Sequence, residues 1–414
     1  MSLTRPTGMR GFTIIWLGQV VSLLGSAMTW FAFTIWAWEK TGKASALATI
    51  SFFAFLPAVL LTPIAGAFID RWNRKLVMLL SDFATAVGTL TVFLIYTFGD
   101  LQIWHIYLIS ILAGFFTAFQ YPAYAAAVTM MLSKEDYARA SGMLGSARAL
   151  SGILAPIFAA ALLIPLGLSG IMLIDLATFI FALGTLFFIH IPQPNQTETG
   201  LQSKGTLWQE IVFGFRYIKE RPSLRALTIL FMIAGIFLAI GATLMAPLVL
   251  SLTQNNESAL ATVQSTGAVG GIAGSVILSV WGGTQRRIHN ILVGGAGACL
   301  LGILWLGLTE AVILWAIGSF FFAFFEPFVE GGNIALWQTK VEADVQGRVF
   351  SARHLLVQIP YLFGILAAGY LAEASSISRV LIFAGLAGAF VFLLGYVFRE
   401  VREAEIFLPD PAQE

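Results

Sequence analysis

The sequence predicts an all-α membrane protein with twelve transmembrane helices in two pseudo-symmetric bundles of six. Three observations predict it: too few charges for a soluble domain, twelve apolar runs of spanning length, and an internal repeat near half the chain length. Of 414 residues, 58% are hydrophobic and 11% charged. A soluble domain carries charge on roughly a quarter of its residues, so a water-soluble enzyme is excluded. The 23 Lys and Arg are balanced by 22 Asp and Glu. That leaves no basic surface for phosphates and excludes a nucleic-acid partner. Cys299 is the only cysteine, and His105, His190, His289 and His354 are scattered. Neither a disulfide framework nor a metal site is expected.

A helix crosses a bilayer with about 20 apolar residues. Such runs lie near 11–38, 45–69, 76–98, 103–131, 141–163, 168–190, 224–250, 259–281, 288–308, 311–333, 347–372 and 378–398. They are long and continuously apolar, unlike the short alternating segments of a barrel. The first is too long for a signal-peptide core and has no clear small-residue cleavage site, so it reads as a retained helix. The connections follow the rule that Lys and Arg stay inside. Arg5 and Arg10 precede span 1; Arg71, Arg74 and Lys75 separate spans 2 and 3; Lys134, Arg139 and Arg148 lie around the start of span 5. Lys204, Arg216, Lys219 and Arg221 fall in the central linker with Arg225 just after it, and the remaining cytoplasmic positions carry Arg286, Arg287, Lys340, Arg348, Arg353, Arg399 and Arg402. In all, 20 of the 23 bases fall on one side, leaving Lys40, Lys43 and Arg379 on the other. Both termini are therefore expected in the cytoplasm.

A shift of 205 residues aligns 118–150 with 323–355. Ala118, Phe119 and Pro122 meet Ala323, Phe324 and Pro327; Ala138 and Gly142 meet Ala343 and Gly347; Ser146, Ala147, Arg148 and Leu150 meet Ser351, Ala352, Arg353 and Leu355. That is nine identities in 33 positions, where roughly two or three are expected by chance. Arginine is rare in a span, so the paired arginines argue against shared membrane bias. The reading divides the chain into a bundle at 1–190, a linker at 191–223, a second bundle at 224–400 and a tail at 401–414. Parallel halves of this kind rock about a midplane site. Within the linker, Leu207, Trp208, Ile211, Val212, Phe215 and Ile218 recur at helical spacing. This amphipathic helix either lies on the membrane surface or packs on the protein's own loops.

The run Gly66-Ala67-Phe68-Ile69-Asp70-Arg71-Trp72-Asn73-Arg74-Lys75 resembles the loop motif of the major facilitator superfamily throughout. Its second-half counterpart is degraded to Trp281-Gly282-Gly283-Thr284-Gln285-Arg286-Arg287, without an acid. In this reading Gly66 permits close packing. Asp70 lies against the positive N-terminal end of span 11, near Gly347 and Arg348, as a gate. Arg71, Arg74 and Lys75 serve either that gate or topology alone. Gly142, Ser151, Ala155-Pro156 and Ala159-Ala160 fall at the spacings of the superfamily's exporter motif, with Ser and Ala where it has Gly. Trp16-Leu17-Gly18-Gln19, Ile174-Asp175, the segment 205–226 and Gly347-Arg348-Val349-Phe350-Ser351 resemble the branch of macrolide-efflux and enterobactin-export proteins. The resemblance implies proton-driven export of an amphipathic organic compound.

An acid at mid-span costs about 2.5–3.5 kcal/mol, which marks Asp82, Asp175, Glu326 and Glu330. Asp82 is expected to pair with Arg148 or Arg139 as a structural bridge, with Arg353 a further pairing group. Asp175 is expected either to hydrogen-bond within the packing or to take up protons. Glu326 and Glu330 lie one turn apart on a helix that the resemblance implies lines the central cavity. They can carry protons or neutralise a cationic compound, or Glu330 can simply be solvated. The expected cavity wall comprises Gln19, Ser22, Ser26 and Trp30 of span 1, Phe119, Tyr121 and Tyr124 of span 4, and Phe322 with Glu326 of span 10. No nucleotide-binding motif is present, so energy must come from an ion gradient and no cofactor is expected. The reading is therefore a monomeric secondary exporter of lipophilic drugs such as macrolides, exchanging them for protons in a bacterial inner membrane. Its partners are the substrate, protons and membrane lipid. The alternative is an exporter of a siderophore, or a lysolipid transporter, in the same fold.

Overall fold

Apolar spans in a bilayer leave the backbone no hydrogen-bond partner except itself, which restricts them to helices. The computed structural model describes residues 8–69, 72–189, 191, 207–342, 345–402 and 404–405, without the side chains of 66, 67 and 207–211. All regular structure among these residues is helical. The expectations for Asp70, Arg71 and the linker at 192–206 lie outside the described residues.

Contacts group the chain into two units: Met1–Lys40 with Phe53–Lys204, and Thr41–Phe52 with Gly205–Glu414. The first unit holds span 1 (Gly8–Thr41), most of span 2 (Ala44–Ile69), span 3 (Arg74–Phe98), span 4 (Ile103–Met131) and the long helix Tyr137–Phe188. That helix has 52 residues, far more than one crossing needs. Its backbone breaks at Gly167, where φ is 64°. A positive φ costs glycine little, and Pro165 removes a helical donor just before it. The two limbs are spans 5 and 6, so the separate runs of the sequence are joined by a one-residue kink instead of a loop.

Lys75 ties the third span to the end of the sixth. Its Nζ donates to the carbonyls of Phe187 at 2.9 Å and Ile189 at 2.7 Å, satisfying acceptors that a helix end leaves open. Span 1 presses on span 6 through glycine. A Cβ at Gly25 would lie 3.2 Å from Asp175 Cα, and one at Gly18 would strike the Thr185 hydroxyl. Small residues admit such close helix pairs where no hydrophobic force drives helices together.

The second unit begins with the linker helix Leu207–Glu220. A Cβ on its Gly214 would meet the Arg348 carbonyl and lie 2.7 Å from Ala352 Cβ. The helix therefore packs on the first turns of span 11, a helix and not one of the loops that the sequence offered. The Arg348 guanidinium carbon sits 5.1 Å from the Phe213 ring centroid. Spans 7 to 12 are Pro222–Leu252, Glu257–Trp281, Arg287–Leu308, Val312–Lys340, Gln346–Ala374 and Ile377–Leu394. The ninth contains a π-helical stretch, Ala298–Leu304. The tenth is interrupted at Phe325, with Pro327 in the first turn of its second part, and runs to Lys340, past the expected end at 333. The first turns of span 2 group with this unit: the Ser45 N–H donates to the Glu373 carboxylate at 3.0 Å.

Candidate functional site

Asp82 lies in the middle of span 3 and is 2% exposed. A buried carboxylate needs donors around it. Span 1 supplies Gln19, whose Nε2 donates to Oδ2 at 2.9 Å, and span 4 supplies Gln120, whose Nε2 donates to Oδ1. Among the described residues Asp82 forms no ion pair. The bridge to Arg148 or Arg139 expected from sequence is therefore corrected. Arg139 is exposed, and the Arg148 guanidinium carbon lies 4.4 Å from the Tyr121 ring centroid. Two amides meet the carboxylate without burying a second charge, which an arginine partner would have had to do.

Asp82 forms part of the wall of a cavity of about 370 Å³ inside the first unit. That volume is at the lower end of the range for organic ligands. Trp16, Trp30, Tyr121 and Tyr124 give it aromatic surface, and Gln19, Gln120 and the hydroxyls of Ser22, Ser26 and Thr85 give it polar points. Arg148 also lines it. Tyr124 Oη is buried and has no hydrogen-bond partner.

The structure brings Gln19, Ser22, Ser26, Trp30, Tyr121 and Tyr124 to this wall. Phe119 it places elsewhere. That ring packs in an aromatic group with Phe115 at 5.3 Å, Phe68 at 6.3 Å and Trp72 at 6.5 Å. One residue turns a helix by about 100°, so Phe119 cannot share the face of Gln120, Tyr121 and Tyr124. Phe322 is in the second unit, against Gly302 of span 9. Sequence reasoning missed Trp16, Gln120, Thr85 and the place of Asp82 in the cavity wall. Gln120 carried a signal: it is an amide within an otherwise apolar run, and such groups are costly in a span without a partner.

Asp175 of span 6 is 1% exposed. Its Oδ1 accepts from Ser26 Oγ at 3.1 Å and its Oδ2 from Thr89 Oγ1 at 3.3 Å.

The second unit holds a different acidic group. Glu326 and Glu330 are both exposed and act electrostatically on each other. Glu330 accepts from Asn333 Nδ2 at 3.4 Å, and among the described residues it forms no ion pair. The Arg353 guanidinium carbon lies 5.1 Å from the Trp337 ring and 5.9 Å from the Phe231 ring. Of the motif residues, Arg74 is buried at 8%, Lys75 anchors span 6, and a Cβ at Gly347 would meet open space. Among the described residues no cluster of three or more metal-binding side chains occurs.

Comparison with known proteins places this architecture. The family model described as Major Facilitator Superfamily matches residues 15–364. Macrolide efflux protein A of Streptococcus pyogenes is 25% identical over 95% of this chain and 97% of its own. Multidrug efflux pump Tap of Mycolicibacterium fortuitum is 22% identical over 92% of this chain and 94% of its own. Among solved structures, a mutant of the nucleoside transporter NupG superposes with a TM-score of 0.73 at 15% identity, covering 92% of this chain and 99% of that one. The match spans most of both halves, and the chain is a membrane transporter that belongs to the Major Facilitator Superfamily.

Proposed function

We propose that this transporter exports amphipathic organic compounds in exchange for protons by alternating access, with macrolides the first class to test. The observation that carries the reading is the aromatic cavity of about 370 Å³ with Asp82 in its wall. Aromatic faces accept varied apolar groups without demanding one shape. Asp82 supplies the charge, and Tyr124 a hydroxyl donor. A compound with an amine competes with a proton for the same carboxylate. Binding of one releases the other, which is the minimum that exchange requires.

Two efflux proteins among the relatives support the direction of transport, and the family's gating motif at Gly66, Asp70, Arg71, Arg74 and Lys75 supports alternating access. Glu326 and Glu330 are proposed as a second proton-handling pair, subordinate to Asp82. With Lys and Arg held inside, both termini face the cytoplasm of a bacterial cell. The driving force is sufficient: one proton crossing ~150 mV releases ~3.5 kcal/mol.

The test uses purified protein in liposomes loaded with a macrolide such as erythromycin. An imposed pH gradient should drive release, and collapsing the gradient should stop it. Release that ignores the gradient and follows added ATP overturns the reading.

A further inference from the structure

Beside the large cavity lies a second, much smaller one of about 20 Å³. That is about the space one water-sized particle occupies. Its wall includes Asp175, Ser26, Thr29 and Thr89. Three features make it a built site. The carboxylate is 1% exposed, and its hydrogen-bond partners are the Ser26 and Thr89 hydroxyls. The Thr29 hydroxyl lines the same chamber, is 3% exposed and forms no hydrogen bond. Finally, Gly25 lets the backbone at Asp175 approach span 1, where any side chain would hold it away. Oxygen atoms from spans 1, 3 and 6 therefore converge on a space for one small particle.

The electrostatics choose the particle. An isolated carboxylate in a span is costly until its charge is balanced. Among the described residues no basic side chain forms an ion pair with Asp175, and its hydrogen-bond partners on spans 1 and 3, Ser26 and Thr89, are neutral hydroxyls. The nearest acid on span 3 is Asp82, seven residues before Thr89 and about 10 Å away along the helix. Hard oxygen donors with one negative charge suit a small, hard monovalent cation.

We propose that the Asp175 chamber is a monovalent-cation site, distinct from the organic-ligand cavity, that takes one Na⁺. Ser26, Trp30, Thr85 and Ala113 line both spaces, so an occupant of the chamber shares a wall with an occupant of the cavity. The site stands whether or not the export reading does, because it concerns binding and not the direction of transport.

The test measures thermal unfolding of the purified full-length protein in detergent. In alkaline buffer, NaCl should raise the melting temperature relative to choline chloride at equal ionic strength, since a ligand that binds only the folded state stabilises it. Asp175→Asn should lose the shift. Thr29→Val, a milder change, should weaken the apparent Na⁺ affinity roughly tenfold, the size of one hydroxyl's interaction with a charge, and keeps the proposal testable if Asp175→Asn does not fold. Should Na⁺ have no effect while mild acid stabilises the wild type but not Asp175→Asn, the carboxylate only titrates and the Na⁺ site is overturned. If neither Na⁺ nor acid distinguishes wild type from both variants, the proposal is overturned. Asp82→Asn separates the two readings: it should keep the cation response while losing affinity for the organic compound.

Discussion

The two halves of this chain treat their membrane acids differently. In the first, Asp82 is wrapped by the neutral amides of Gln19 and Gln120. In the second, Glu326 and Glu330 stand exposed, and among the described residues neither forms an ion pair. The 205-residue repeat makes the contrast exact in register, since Tyr121 corresponds to Glu326 and Arg148 to Arg353. One helix position thus holds an aromatic ring under an arginine in the first half and an acid in the second. A carboxylate among neutral donors can take a proton without stranding a buried cation. An exposed carboxylate gains less from taking a proton, because its charge is not desolvated. The lesson is that duplicated bundles need not duplicate their chemistry, and exchange at a carboxylate suits the first half better.

The largest effect that tests the contrast is expected at Asp82. Asp82→Asn should abolish gradient-driven export in liposomes. It should also lower the affinity for an amine-bearing compound by about 2–5 kcal/mol, as for truncating one partner of a buried charge pair, or at least about thirtyfold. Retained export would move the exchange to the glutamates. Next comes the amide shell. Gln120→Leu removes one donor from the carboxylate, and a hydrogen bond to a charged group is worth about 1.5–3 kcal/mol. Calorimetric binding of the same compound should fall accordingly. No change in binding would mean that Gln120 supports the helix packing alone.

Glu326→Gln should do less: export reduced by under about tenfold, or 1.4 kcal/mol, with the dependence on the pH gradient preserved. Loss of that dependence with Asp82 intact would reverse the ranking of the two halves.

Much of the fold is legible in the sequence alone. Spans announce themselves because twenty apolar residues in sequence have few alternatives, and the repeat and loop motif are local patterns. Six of the expected wall residues reach the cavity because helical spacing in span 1, and the pair Tyr121 and Tyr124 in span 4, fixes which side chains share a face. What stayed hidden depends on rotation between helices. Phe119 differs from Tyr121 by two positions and faces other rings. The partner of Asp82 came from two amides 63 and 38 residues away, and no one-dimensional spacing encodes that. Charge alone suggested an arginine because opposite charges attract, but the sequence does not record that Arg148 has an aromatic ring within reach.

The smallest predicted effect concerns that ring. Arg148 lies over Tyr121 at 4.4 Å, and both line the cavity with Asp82. A cation over an aromatic face at an exposed site is worth about 0.5–1 kcal/mol. Tyr121→Leu keeps an apolar side chain and removes that attraction, freeing the guanidinium to approach Asp82. Affinity for an amine-bearing compound should then fall about two- to fivefold, since the arginine becomes a competitor for the carboxylate. Affinity for a neutral compound of similar shape should change less. Equal losses for both compounds would mean that the Tyr121 ring acts only as contact surface, and that the first half gains nothing from holding its arginine on an aromatic ring.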